Sequence, residues 1–179
     1  TVDQSKRMGA LTLENVNVAN AQIMLQGSEV WPAIQRNMDE GAVAVTAEMV
    51  GTAEATLALT TQYANDRIQF GNPIGKYQGI KHKLAEIYVD VESIKSLVYY
   101  AAWTLDHSPE ERQRSVSLAK AYGSEAFPDI GIEGVQLHGA IGFTAEYDVQ
   151  LVLKRSKWSR PMFGDADYHF ERVASLGGV

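Results

Sequence analysis

Two long tracts of helical periodicity, separated by one short break, limit what this chain can fold into. From Ser28 to about Arg67 the apolar positions Val43, Ala47, Val50, Leu57 and Ala64 recur at helical spacing. From about Gln78 to Leu105 a second stripe runs through Ile80, Leu84, Ile87, Val91, Ile94, Val98, Ala101 and Ala102. Between them lies DRIQFGNPIGKYQ, residues 66–78. Helices this long joined by so short a link run antiparallel. Alanines at 42, 44, 47, 53, 55 and 58 leave room for close helix–helix contact.

Further along, Ser108-Pro109-Glu110 reads as a turn and restart. Ser108 is the expected N-cap and Pro109 the first helical residue, with Glu110 and Glu111 at the positive end of the dipole. The third helix is expected to reach about Gln136, kinked or broken at Pro128. HGAIGFTAEYD (138–148) is a Gly-rich loop. A short amphipathic helix and a last helix over about 166–174 complete an all-α, antiparallel up-down four-helix bundle. One stretch departs from this pattern. ALTLENVNVA (10–19) alternates Leu11, Leu13, Val16 and Val18 with polar residues, as a β-strand does. A lone strand leaves its backbone groups unpaired, so its partners are expected upstream of Thr1 or in another chain.

Composition removes several functions. Net charge is −6, which disfavours a nucleic-acid surface, and the chain has no cysteine, which rules out thiol catalysis and zinc–thiolate sites. With 45% hydrophobic and 21% charged residues the chain reads as an ordinary globular domain. TVDQSKRMG has no signal-peptide core, and no apolar run approaching a bilayer span is evident, so a cytoplasmic protein is expected.

The break at 66–78 holds more than a turn needs. Arg67, Phe70 and Gly71 precede Gln78, which lies eleven residues after the arginine, and a second turn, QLHGAIGF (136–143), joins later helices. TAEYDVQ and the pair Lys154-Arg155 follow. In this order the motifs resemble the C-terminal domain of the acyl-CoA dehydrogenase family, R-x-x-F-G with a distal Gln and then Q-x-x-G-G-x-G-[FY], with Ala140 where the family usually has its second glycine. The resemblance implies that residues 1–27 end a middle β-domain and 28–179 form the helical bundle. It implies an FAD enzyme that desaturates an acyl-CoA thioester between its α and β carbons. Arg67, Phe70 and Gln78 then reach the FAD of a neighbouring subunit, and Gln136, Leu137, His138, Gly139 and Ala140 line its adenosine and pyrophosphate. A guanidinium and closely approaching backbone N–H groups suit a pyrophosphate. A homotetramer or heterotetramer is implied, with electron-transfer flavoprotein as acceptor; the bundle does not distinguish such a carrier from oxygen.

The implied reaction also needs a carboxylate base. Counting back from Arg172 puts it on Asp165, whereas aligning the aromatic residue of Met162-Phe163-Gly164 puts it on Gly164. A second family position falls near Gly41, with Glu40 beside it. Asp165 is thus the first candidate and Glu40 the alternative; otherwise the chain completes a partner's flavin site. Structural readings stand beside these. An Asp opening a helix is ordinarily an N-cap. His138, with no second ligand nearby, is expected to be structural, His82 and Lys83 to lie on a solvated face, and Tyr99, Tyr100 and Trp103 to be core or interface.

Overall fold

A computed structural model describes residues 2–178. Among these, five α-helices follow one another: α1 (Val30–Asp66), α2 (Gln78–His107), α3 (Arg112–His138), α4 (Val149–Ser159) and α5 (Ala166–Val173). A two-residue antiparallel pair, β1 (Ile68–Gln69) and β2 (Asn72–Pro73), sits between α1 and α2. The expected helical hairpin and bundle are present. α3 is the central member, packed on α1, α2, α4 and α5.

The core is shared by Ala42, Met49 and Ala53 of α1, Ile87, Val91 and Ile94 of α2, and Val116, Phe127 and Ile130 of α3. On α1 the buried face differs from the apolar stripe. Ala47 is exposed, while Thr46, Thr56 and Thr60 are fully buried. Thr46 and Thr56 donate their hydroxyls to the carbonyls of Ala42 (2.7 Å) and Thr52 (2.8 Å), one turn back, so a polar residue is tolerated there. A stretch within residues 20–66 is long and apolar enough to cross a membrane by length and composition, contrary to the sequence expectation. Of its most apolar window 39% is buried inside the bundle.

Four other expectations are corrected in whole or in part. Residues 10–19 form no strand; Leu11, Leu13, Val16 and Val18 are exposed, and the described residues offer no strand to pair with them. α3 begins at Arg112 rather than Pro109, because the Ser108 hydroxyl donates to Glu110 (2.9 Å) instead of capping a helix N–H. Pro128 does not break α3, since packing on four neighbours outweighs the lost hydrogen bond. Tyr99, Tyr100 and Trp103 are exposed on α2 and so are not core. The N-terminal segment is tied down upstream of the exposed stretch. Arg155 of α4 pairs with Asp3 and Glu48 and donates to Ser5 (2.8 Å), while the Lys6 ammonium sits 4.5 Å from the Trp158 ring centre. Burial works to raise the Asp3 carboxyl, but hydrogen bonds from Arg155 and Ser5 outweigh it and hold the group at about 2.

One ionic cluster joins three helices. Asp39 of α1 is fully buried and accepts hydrogen bonds from Arg112 of α3 (3.0 Å) and Arg172 of α5 (2.6 Å). Removing the carboxylate would strand two largely buried guanidiniums. Asp39→Ala is therefore expected to lower stability by about 3–5 kcal/mol in urea unfolding; a loss under about 1 kcal/mol would mean that water replaces the carboxylate.

Candidate functional site

The connector after α1 is built by local hydrogen bonds. The Arg67 N–H donates to the Tyr63 carbonyl (2.8 Å) and ends α1, and the Ile74 N–H closes onto the Arg67 carbonyl (2.9 Å). Between them the tip residues Phe70 and Gly71 both have left-handed φ, 51° and 76°. Such turns need positive φ at both central positions, which a glycine or asparagine adopts readily and a phenylalanine does not. Phe70 is nonetheless 90% exposed, and its ring meets the edge of Tyr77 at 6.4 Å. A strained tip that displays a bare aromatic ring is poor design for stability and suits a binding surface.

The second turn faces the first. α3 ends at His138, and Gly139 leaves the helix at φ 64°, ψ −144°, a conformation open essentially to glycine alone. Gln136, Gly139 and Ala140 are exposed, whereas Leu137 and His138 are buried. His138 is held structurally. Its Nδ1 lies 2.7 Å from the Gly134 carbonyl, so that nitrogen carries the proton, and its ring stacks on Tyr63 at 4.5 Å. No group of His, Asp and Glu suited to a metal occurs among the described residues.

Together the turns enclose a groove of about 290 Å³ that contains Arg67, Gln69 and the 136–141 turn. A larger hollow of about 620 Å³ lies behind Tyr63 and His138, edged by Asp66, Glu146 and Asp148. Arg67 borders both, and its guanidinium makes no hydrogen bond or ion pair among the described residues. An unengaged guanidinium beside a glycine turn with open space above it fits an anionic diphosphate such as that of FAD. The structure thus brings Arg67, Gln136, Leu137, His138, Gly139 and Ala140 together. Phe70 and Gln78 lie outside the groove lining, Phe70 at the hairpin tip and Gln78 exposed at the first residue of α2.

The candidate bases lie at the other end of the bundle. Asp165 is exposed and caps α5, accepting the Tyr168 N–H at 3.0 Å. Glu40 is exposed and accepts from Arg36 at 2.7 Å. Neither lines the groove or the hollow behind Tyr63 and His138. Gly41 and the 160–164 loop, which sequence counting marked separately, do meet. The Phe163 ring lies against Gly41 so closely that a Cβ there would come within 2.3 Å of it, and Phe163 itself has φ 57°.

Beneath that loop is a buried polar network that sequence reasoning missed. Lys120 of α3 is fully buried and donates to Ser124 Oγ (2.6 Å), the Arg160 carbonyl (2.8 Å) and the Gly164 carbonyl (2.7 Å). Burial pushes its pKa down to about 8, with Asp165 raising it and Arg160 lowering it. His169 of α5 is also buried. Its Nε2 is 2.9 Å from the Phe163 carbonyl, which can only accept, so Nε2 holds the proton and Nδ1 accepts from Ser117 at 3.2 Å. Burial pushes His169 down to about 4, so the ring is neutral in spite of that carbonyl. A lysine inside the otherwise small and apolar run SLAKAYG was the one signal available.

The described residues thus form a helical bundle with a groove, bordered by the Arg67 guanidinium, between its first connector and the turn after α3. The family model for the acyl-CoA dehydrogenase C-terminal domain matches residues 31–176. The chain belongs to that family. It is 39% identical over 135 residues, 75% of this chain and 42% of the relative, to the acyl-CoA dehydrogenase IpdE2 of Mycolicibacterium smegmatis. It is 30% identical over 140 residues to the caffeyl-CoA reductase–Etf complex subunit CarC of Acetobacterium woodii, covering 78% of this chain and 37% of that one. The crystal structure of an FAD-dependent dehydrogenase superposes with a TM-score of 0.77 at 31% identity, over 85% of this chain and 40% of that one. The chain thus spans about two fifths of these relatives.

The strained tip makes a prediction that does not depend on cofactor. Phe70→Asn is expected to raise stability by about 1 kcal/mol, read as a higher urea midpoint at unchanged slope, because asparagine tolerates the left-handed conformation. An equal fall would show that the Phe70–Tyr77 contact outweighs the strain.

Proposed function

We propose that this chain is the C-terminal bundle of an FAD-dependent acyl-CoA dehydrogenase that introduces an α,β double bond into an acyl-CoA thioester. The observation that carries the reading is the groove where the unengaged Arg67 guanidinium meets the Gly139 turn. In this reading Arg67 neutralises the FAD diphosphate, and Gln136 and the backbone at Gly139–Ala140 approach the adenosine side. Phe70 and Gln78, which lie outside the groove, touch the same cofactor from the connector, and the bundle meets FAD held by a neighbouring subunit. Bound there, FAD supplies the hydride acceptor for the β-hydrogen. The chain's own contribution to chemistry is a carboxylate for the α-proton, Asp165 first and Glu40 second. Asp165 has to give up its cap on the Tyr168 N–H to reach a substrate. The domain division, with residues 1–27 closing a β-domain and 28–179 forming the bundle, belongs to this reading. So do a tetramer, homomeric or heteromeric, and electron-transfer flavoprotein as acceptor, which the CarC relative's Etf complex favours. α1 is taken as a core helix, no membrane span is proposed, and the setting is cytoplasmic.

A second reading is favoured by the loop end of the bundle. Asp165 is used as a cap, Glu40 is paired with Arg36, and Phe163 fills the space over Gly41. The chain is then a non-catalytic subunit that completes a partner's FAD site.

The full-length protein, purified with its partner subunits, tests both. Arg67→Ala is expected to weaken FAD retention by at least about ten-fold, the loss of one charge-assisted contact; undiminished FAD content would refute the groove. Rapid mixing with an acyl-CoA then separates the readings. If Asp165→Asn slows flavin reduction by about 100-fold or more, Asp165 is the base. Unchanged rates in both Asp165→Asn and Glu40→Gln would establish the non-catalytic subunit.

A further inference from the structure

Beside the Arg67 groove lies the hollow of about 620 Å³ behind Tyr63 and His138, which has the volume of a small-molecule pocket. Three rings form part of its wall. His138 stacks on Tyr63 with ring centres 4.5 Å apart, and Tyr147 stands steeply to both, 6.1 Å from Tyr63 and 5.7 Å from His138. Three carboxylates, Asp66, Glu146 and Asp148, edge the hollow, and none of them forms an ion pair among the described residues. Asp66 is the last residue of α1 and His138 the last of α3, so the negative poles of two helices end here. An aspartate at that end of a helix opposes the dipole and does nothing for the stability of α1. The positive pole of α4, which begins at Val149, is offset by the Asp148 charge beside it. Arg67 is the only cation among the residues that line the hollow.

The buried member of the wall gives a separate indication of what the hollow takes. His138 is only 4% exposed, and its Nδ1 proton is spent on the Gly134 carbonyl. Its other nitrogen, Nε2, is therefore an acceptor, and it has no hydrogen-bond partner among the described residues. A buried acceptor at the wall of an open hollow calls for an N–H donor. We infer that this hollow binds a small organic cation, an alkylammonium or guanidinium compound, held by the faces of Tyr63 and Tyr147, the three carboxylates and His138 Nε2. Each part of the wall selects for that chemistry. The carboxylates and the two helix ends repel an anion. The rings attract a cation through their negative faces, and more strongly where water is excluded. A bare metal ion is not favoured, because no group of His, Asp and Glu among the described residues is close enough to hold one. The anion groove and the cation hollow lie side by side with Arg67 between them, and the second does not rest on the flavin reading of the first.

Calorimetric titration of the full-length protein, saturated with FAD, tests this with agmatine, which carries a guanidinium at one end and an ammonium at the other. Butylurea is the uncharged control. One agmatine per chain is expected to bind at physiological salt with a Kd of about 1 mM or tighter, and butylurea is expected not to bind. Tyr147→Ala and Asp148→Asn are each expected to weaken agmatine about ten-fold. Asp148→Asn keeps the shape of an exposed side chain that caps no helix N–H, so the fold is retained. Asp129→Asn, in the acidic groove between α2 and α3, controls for general attraction of cations to a chain of net charge −6 and is expected to leave the Kd unchanged. Absence of saturable binding, equal binding of butylurea, or a loss in Asp129→Asn as large as that in Asp148→Asn overturns the inference. Agmatine binding that appears only after FAD is stripped also overturns it, since the hollow then belongs to the cofactor. A protein that holds no FAD refutes the flavin reading, and the same titration on it still decides whether the hollow takes a cation.

Discussion

The bundle depends on a carboxylate removed entirely from water. Asp39 is fully buried, and its two oxygens hold Arg112 and Arg172, which come from helices far apart in sequence. Apolar packing draws α1, α2 and α3 together without fixing how α5 closes over them, because hydrophobic burial has no direction. The Asp39 pair supplies that direction. It sets α5 against α1 beside Gly41, and Arg172 passes the register on to Ser117 and thence to His169. Buried ion pairs are weak sources of stability and better explained as specifying one arrangement. Here the specified feature is the loop between α4 and α5.

The two ends of the molecule therefore differ in kind. At the connector end, backbone strain and exposure prevail: Phe70 and Gly139 hold unusual conformations, and the Arg67 guanidinium makes no hydrogen bond or ion pair among the described residues. At the loop end every buried polar group of the network has partners, and Lys120 and His169 both lie in positions that burial makes costly. The first end has the character of a surface awaiting a ligand and the second that of a fixed wall.

Much of this was legible in the sequence where signals are local. The helical period placed α1 and α2 within a few residues of their observed ends, and the glycines, Arg67 and Gln136 marked the two turns that meet in one groove. Strand pattern at 10–19 was read correctly as alternation but could not become structure without a second strand to bond to. The start of α3 was misplaced because Ser108 has a competing acceptor two residues away in Glu110. Lys120, His169 and Asp39 were illegible for a different reason. Their roles come from contacts across 40 to 133 positions of sequence, which no periodicity reports. Gly41 and Phe163 were each noticed, but only the fold shows that one is small because the other is large.

The central claim is that the groove between the first connector and the turn after α3 faces a flavin diphosphate in the assembled protein. A structure of the full-length assembly with FAD bound measures this directly. The account predicts diphosphate oxygens within hydrogen-bond distance of the Arg67 guanidinium and the backbone beside Gly139, with the flavin ring held by a neighbouring subunit. FAD bound elsewhere, with the Arg67 groove open to solvent or filled by protein, would contradict it.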